Sequence, residues 1–221
     1  MMKFKNIELR WLGYSGFLID VEGQTIYIDP FKINTDEPAD IVLITHPHYD
    51  HCSIEDLKKI IKNGTIVVCP ADAQSKISKL DHKIELKILG VGENLSFGEI
   101  KIGAIPAYNL NKAFHSKSEE WLGYVLKIGE KEGIVIYHAG DTDLIPEMEK
   151  LKGKVDIALL PVGGGPTMNA EEAAETAFLI EPEIAVPMHW GSGIVGLRED
   201  AENFVNLCKE KGIDSRILEK E

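Results

Sequence analysis

The sequence predicts an α/β protein, a four-layer αββα sandwich in a single domain over 1–221, and three observations carry that reading. Each half opens with apolar residues at the strand period of two and then passes to short buried apolar runs alternating with helical spacing. The two halves repeat this plan. No Ser- or Pro-rich linker and no charge block separates them, so two sheets packed face to face with helices outside satisfy both apolar patterns.

In order, Ile7, Leu9 and Trp11, then Phe17, Ile19 and Val21, then Ile26 and Ile28 form an antiparallel meander turning at Glu22-Gly23. A buried strand over 41–45 leads into a polar run, His46 to His51. Ile54, Leu57, Ile60 and Ile61 then recur at helical spacing up to Asn63-Gly64. A strand over 65–69, a short polar helix over 72–79 and a strand over 84–89 follow, punctuated by Pro70. The second half starts with strands over 99–105, 122–128 and 134–137, the last two joined by a turn containing Gly129 and Gly133. A helix over 144–151, a strand over 155–160, a helix over 170–180 opened by Asn169 with Glu172 three residues on, a strand over 184–188 and a helix over 200–211 complete it.

Hydrophobic residues are 44% and charged residues 27%, which excludes wholesale disorder. Lys and Arg total 24 against 36 Asp and Glu, a net charge of −12 that repels polyanions, so no nucleic-acid partner is expected. No apolar run approaches the ~18 residues of a membrane span. The segment Met1 to Arg10 carries Lys3, Lys5, Glu8 and Arg10 with no apolar run after them, which points to a cytoplasmic location. Cys52, Cys69 and Cys208 are odd in number and widely spaced, the pattern of spectator thiols in a reducing compartment.

The chemistry concentrates in His46-Pro47-His48-Tyr49-Asp50-His51, four donors in six residues at the carboxyl end of a buried strand. Pro47 biases His46 toward extended backbone, where residues two apart point the same way, so His46 and His48 can hold one ion together. Asp50 and His51, where the chain turns into the helix, can address a second ion. His115 and His189 lie at strand ends where core packing explains them poorly, and both read as ligands. Asp141, in His138-Ala139-Gly140-Asp141-Thr142, ends another apolar strand, where a carboxylate can bridge two cations. His138 stays open between a contact to substrate or ligand, a satisfied strand-end histidine and a ligand; His82, between Asp81 and Lys83, reads as exposed. The imidazole and carboxylate set suits Zn2+, with Mn2+ the alternative.

These motifs resemble the metallo-β-lactamase superfamily, and within it the small metal-dependent hydrolases related to the L-ascorbate-6-phosphate lactonases. The resemblance spans nearly the whole chain: Trp11 to Gly16, Ile28-Asp29-Pro30-Phe31, His46 to His51, Ala113 to Ser116, Tyr137 to Thr142, Leu160 to Gly164 and Pro187 to Trp190. It implies that His46, His48 and His115 hold one metal, that Asp50, His51 and His189 hold the other, and that Asp141 lies between them. It also implies the αββα fold and a strand-end carboxylate, Asp29, supporting a ligand histidine. Tyr49 stands where a smaller residue is common, and Cys52 follows His51.

Two such ions share a water and lower its pKa toward neutrality, so the expected activity is metal-dependent hydrolysis of a small ester, lactone or phosphoester, with Asp50 orienting the water and His138 as a donor. A phosphodiesterase or nuclease of the same superfamily and a non-catalytic metal-binding protein are the rival readings. A nuclease would be expected to add a basic patch, and the sequence shows none. Asn109, Asn111, Lys112 and Lys117, with Gly163-Gly164-Gly165 before a helix, are either an anion-binding surround or, respectively, solvated side chains and a tight turn. A small-molecule substrate is expected, no membrane partner is, and self-association is left open.

Overall fold

The computed structural model describes residues 1–80, 83–130 and 133–221. The reading of His82 and the centre of the Gly129–Gly133 turn fall outside them. The chain forms two compact units, Met1–Leu89 with Leu218–Glu221, and Gly90–Ile217.

The first unit is built on a seven-stranded sheet in sequence order: β1 (Met2–Phe4), β2 (Ile7–Gly13), β3 (Gly16–Val21), β4 (Gln24–Ile28), β5 (Ile41–Leu43), β6 (Ile66–Cys69) and β7 (Glu85–Ile88). β1 to β4 pair antiparallel, as the alternating pattern requires, and β4 to β7 pair parallel. Leu18, Tyr27, Val42 and Val67 are successive cross-strand partners. This row packs with Leu57 and Ile60 of α1 (Ile54–Ile60), and all six are almost fully buried. Each such side chain contributes roughly 1.5–3 kcal/mol of transfer free energy. Because Phe17, Leu18 and Ile19 are all inaccessible, β3 is buried on both faces rather than on the one its alternation suggests. Ser53 caps α1 by accepting from the Asp56 amide, and the helix stops at Ile60 rather than reaching Asn63-Gly64. The polar helix near 72–79 is shorter too, a 3-10 turn running into α2 (Gln74–Ile77).

Residues 218–221 complete this unit. A β-bulge between Trp11 and Gly13 breaks the β2 ladder. There the Trp11 carbonyl accepts the Glu221 amide at 3.0 Å, and the Lys220 ammonium reaches the Lys32 carbonyl at 3.0 Å.

The second unit repeats the plan with six strands, ordered β13-β12-β11-β10-β9-β8. They are β8 (Asn94–Phe97), β9 (Ile100–Pro106), β10 (Leu122–Ile128), β11 (Ile134–His138), β12 (Ile157–Pro161) and β13 (Ile184–Met188). β8 to β11 are antiparallel, and β11 to β13 are parallel. α3 (Ala170–Ile180) carries the full Asn169–Glu172 capping box, and α4 (Arg198–Glu210) follows β13. The segment expected as a helix over 144–151 is a 3-10 helix, Pro146–Leu151, opened by a proline that has no amide to donate. Two mixed sheets with helices are the α/β class the sequence predicts.

Candidate metal centre

Each predicted donor except His48 is nearly inaccessible, and all lie just beyond the carboxyl ends of strands or in the loops that follow them. Parallel strands put these ends on one side of their sheet, which is where α/β proteins assemble sites.

In the first unit, β4 is followed by Asp29, which takes a left-handed backbone (φ 44°) unusual for a residue with a side chain. Its amide donates to the Leu43 carbonyl at 3.0 Å, which places the carboxylate beside the end of β5. There Asp29 Oδ1 accepts the Thr45 amide at 2.8 Å, and Oδ2 accepts the Thr45 hydroxyl at 2.5 Å and His51 Nδ1 at 2.7 Å. A carboxylate only accepts, so His51 carries its proton on Nδ1, and Nε2 is the nitrogen that can ligate. With its hydrogen given to Asp29, the Thr45 hydroxyl accepts from His46 Nδ1 at 3.0 Å, and His46 too is left to ligate through Nε2. One buried carboxylate thus orients two histidines. Asp29, His46 and His51 place one donor atom each within 4.8 Å of one another, but the carboxylate is engaged by Thr45 and His51 and acts as an orienting group.

His46 Nε2 and His48 Nδ1 lie 3.0 Å apart. Two nitrogens on one tetrahedral ion at ~2.0–2.1 Å would be about 3.3 Å apart, so the pair expected from Pro47 and the two-residue spacing fits one cation. Past it the His51 and Cys52 amides donate to the His48 carbonyl, at 3.1 and 2.8 Å, and this turn sets Asp50 Oδ2 4.0 Å from His51 Nε2. Lys76 of α2 ties the loop down from outside through the Pro47 carbonyl at 2.5 Å.

In the second unit Asp141 is the centre. Its Oδ2 lies 3.1 Å from His189 Nε2 and 3.4 Å from His115 Nε2. His115 Nδ1 donates to the Pro166 carbonyl at 2.9 Å, with Asn109 Oδ1 at 3.1 Å, which again leaves Nε2 as the nitrogen that can ligate. Asn109 is held in turn by Asp143 Oδ1 at 2.9 Å, and Asp143 Oδ2 takes the Leu110 amide at 2.9 Å. His189 has a left-handed backbone (φ 62°). A Cβ on either Gly163 or Gly196 would stand 2.5 Å from the His189 carbonyl oxygen, so only glycine leaves that backbone room. His138, the last residue of β11, is fully buried, and its Nδ1 accepts the Gly140 amide at 3.2 Å.

Thr45 and Asp143 were missed by sequence reasoning. Their signal was position alone, Thr45 next to His46 and Asp143 two residues beyond Asp141. The anion-binding surround takes a different form. Lys112 is paired with Asp143 at 2.6 Å and the Thr167 carbonyl at 2.7 Å, and Lys117 with Glu147 at 2.9 Å. The amides at the start of α3 meet its own capping box, and Gly163 forms a bridge to Asn169. Gly163 leaves room for the His189 carbonyl, and Gly164 and Gly165 take left-handed backbone in the turn that follows.

Three buried histidines, His46, His51 and His115, each turned by an acceptor on Nδ1 and grouped with carboxylates at strand ends of an α/β fold, mark a metal-binding protein. The chain belongs to the beta-lactamase superfamily, whose domain family matches residues 8–189, and its fold is the α/β sandwich of the metallo-β-lactamases. A UPF0173 metal-dependent hydrolase of Nanoarchaeum equitans is 32% identical over 97% of this chain and 98% of its own. One of Caldivirga maquilingensis is 34% identical over 95% and 92%. A crystal structure of a Parabacteroides distasonis protein superposes with a TM-score of 0.84 at 30% identity, covering 97% of this chain and 94% of that one.

Proposed function

We propose that this chain is a two-metal hydrolase of a small ester, lactone or phosphoester. In this reading His46, His48 and His115 hold one ion, Asp50, His51 and His189 hold the other, and Asp141 is shared. The broader statement needs no proposal: family membership, with full-length relatives named as metal-dependent hydrolases, makes the chain a metal-dependent hydrolase of the metallo-β-lactamase superfamily. The reading treats 1–221 as one hydrolase domain, in keeping with relatives matched over nearly their whole length.

The observation that carries the finer reading is the orientation of the histidines. His51, His46 and His115 each spend Nδ1 on an oxygen, of Asp29, Thr45 and Pro166, so that each leaves Nε2 as the nitrogen that can ligate. Neutral imidazoles with carboxylates suit zinc, with manganese the alternative. When bound, such ions polarise a substrate oxygen and acidify a water toward neutral pKa. Asp50, 8% exposed, accepts a hydrogen bond from the attacking water and fixes its direction. The Gly140 amide on His138 Nδ1 keeps that proton on Nε2, the atom that donates to a developing oxyanion or leaving group. Thr45 and Asp29 keep the ligands in the tautomers that bind cations. The reading further takes a small-molecule substrate, a cytoplasmic setting and no nucleic-acid partner.

Elemental analysis of zinc-replete protein tests it. About two ions per chain are expected, and Asp141→Ala loses both from tight binding. Asp50→Ala lowers kcat by orders of magnitude with an unchanged near-UV circular dichroism spectrum. Trace metal only, two ions tightly held by Asp141→Ala, or near-parental kcat in a folded Asp50→Ala refutes it.

A further inference from the structure

The large exposed hydrophobic side chains of the second unit are unevenly placed. Among the described residues they are Val91, Leu110, Phe114, Phe178, Ile194 and Leu197, and four of the six fall on the two loops that carry His115 and His189. Phe114 is 58% exposed, is bonded in sequence to His115, and has its ring centre 6.5 Å from that imidazole. Leu110, 52% exposed, follows Asn109, the residue that holds His115. Ile194 and Leu197 lie past His189 on a loop closed by the Gly191 amide on the Gly196 carbonyl at 3.0 Å. Both loops are fastened to the turn between β12 and α3: Asn109 and His115 hold the Pro166 carbonyl, at 2.9 Å each, and Gly163 packs on Gly196. Both loops are thereby fixed to one turn, and each carries exposed apolar side chains.

Its cations are already neutralised. Lys112 is bonded to Asp143 and lies 3.6 Å from Glu172, Lys117 is bonded to Glu147, and the stretch from His189 to Leu197 contains no Lys or Arg. Arg198, next along, is paired with Glu202 at 3.1 Å. A substrate carrying a phosphate would meet carboxylate-paired lysines in a protein of net charge −12, whereas an uncharged apolar group would cover side chains otherwise left in water.

We propose that the site selects uncharged carboxylic esters or lactones whose acyl side is apolar, and that Phe114 and Leu110, beside His115, bind that acyl group. The proposal rests on the hydrolase reading and narrows its substrate class. In the reaction the water oxygen bonds to the acyl carbon, the acyl carbon–oxygen bond to the alcohol breaks, and a water proton passes to the leaving alkoxide, giving a carboxylic acid and an alcohol.

The test uses zinc-loaded full-length protein, 4-nitrophenyl esters from acetate to octanoate, and bis(4-nitrophenyl) phosphate. Full burial of a methylene is worth about fourfold, and a partly open surface about half that factor, so kcat/KM should rise roughly two- to fourfold per methylene up to hexanoate. Every ester should outrun the phosphodiester. Phe114→Ala should flatten the chain-length slope, and Phe114→Leu should restore most of it. Independently of turnover, calorimetry should show octanamide binding with a negative heat-capacity change that Phe114→Ala abolishes. Octanamide binding of this kind without hydrolysis of any substrate would support the apolar site and sink the hydrolase reading. A flat ester series, a preference for the phosphodiester, or octanamide binding unchanged by Phe114→Ala overturns the proposal and leaves hydrolysis standing.

Discussion

Replacing Asp29 by Asn keeps the side-chain shape, removes the charge and exchanges one acceptor oxygen for an NH2 donor. The remaining oxygen can still take the Thr45 amide, now at 2.8 Å from Oδ1. The new amide nitrogen then faces two donors, the Thr45 hydroxyl and His51 Nδ1, which in the parent both give to Oδ2 at 2.5 and 2.7 Å. The hydroxyl can rotate away, but His51 must move its proton to Nε2, the atom needed for a cation. Hydrogen bonds to a charged acceptor are worth ~1.5–3 kcal/mol each, so loss of two in a fully buried site costs about 3 kcal/mol before metal is added. For a chain of this length that lowers Tm by roughly 6–12 °C. Metal affinity should fall about 10- to 100-fold, as when other orienting partners of ligands are removed. Competition against a chelator of known affinity at neutral pH, with a thermal melt of the metal-free protein, measures both. An affinity within about twofold of the parent and an unchanged Tm would refute the orienting role and return Asp29 to a turn residue before Pro30.

Asp143→Ala strips the acceptor from Asn109, the Leu110 amide and Lys112, so His115 loses its second layer of support; zinc affinity should drop about tenfold in the same competition assay, and parental affinity would show that Pro166 alone holds the ring. Burial pushes the Asp56 carboxyl up, but hydrogen bonds from Lys59, Ser53 and the Lys32 and Ile33 amides outweigh it and hold the group below its usual 3.8. Its folded pKa is the lower one, so its contribution is complete above about pH 4 and fades as pH falls through the folded value. The stability gap between parent and Asp56→Asn in urea melts should therefore be about 2 kcal/mol at neutral pH and narrow below about pH 4. A gap that does not change with pH refutes the assignment.

Local chemistry marked the elements that were read well. Asn169 and Glu172 form a capping box, so the bounds of α3 agree with the sequence reading at both ends, and those of β10, apolar but for Lys127, and of the all-apolar β13 do likewise. β1 and β8 were missed because three or four residues with two apolar members carry too little periodicity to stand out, and only pairing with a longer neighbour makes them strands. In the candidate site, the histidines that the fold groups were legible because histidine is scarce and clustered. The groups that aim them were not, because threonine, asparagine and a second aspartate are ordinary loop residues until the fold brings them to a ring nitrogen. The lysines near His115 show the converse: their charge is visible in sequence, but their partners Asp143 and Glu147 are fixed only by tertiary structure.

The junction of residues 218–221 with the bulged end of β2 has a consequence for the order in which the molecule assembles. Residues 1–89 can form seven paired strands as soon as they are made, yet the Trp11 carbonyl gains its Glu221 partner only after everything from Gly90 to Ile217 has been synthesised. Closing so long a loop costs little more than closing a shorter one, since the entropy grows only with the logarithm of length. The tie is therefore thermodynamically cheap but late. A nascent chain would carry its first unit with the bulge unlatched until synthesis reaches Glu221, and loss of those few residues would expose the strand that leads directly into Tyr14 and Ser15.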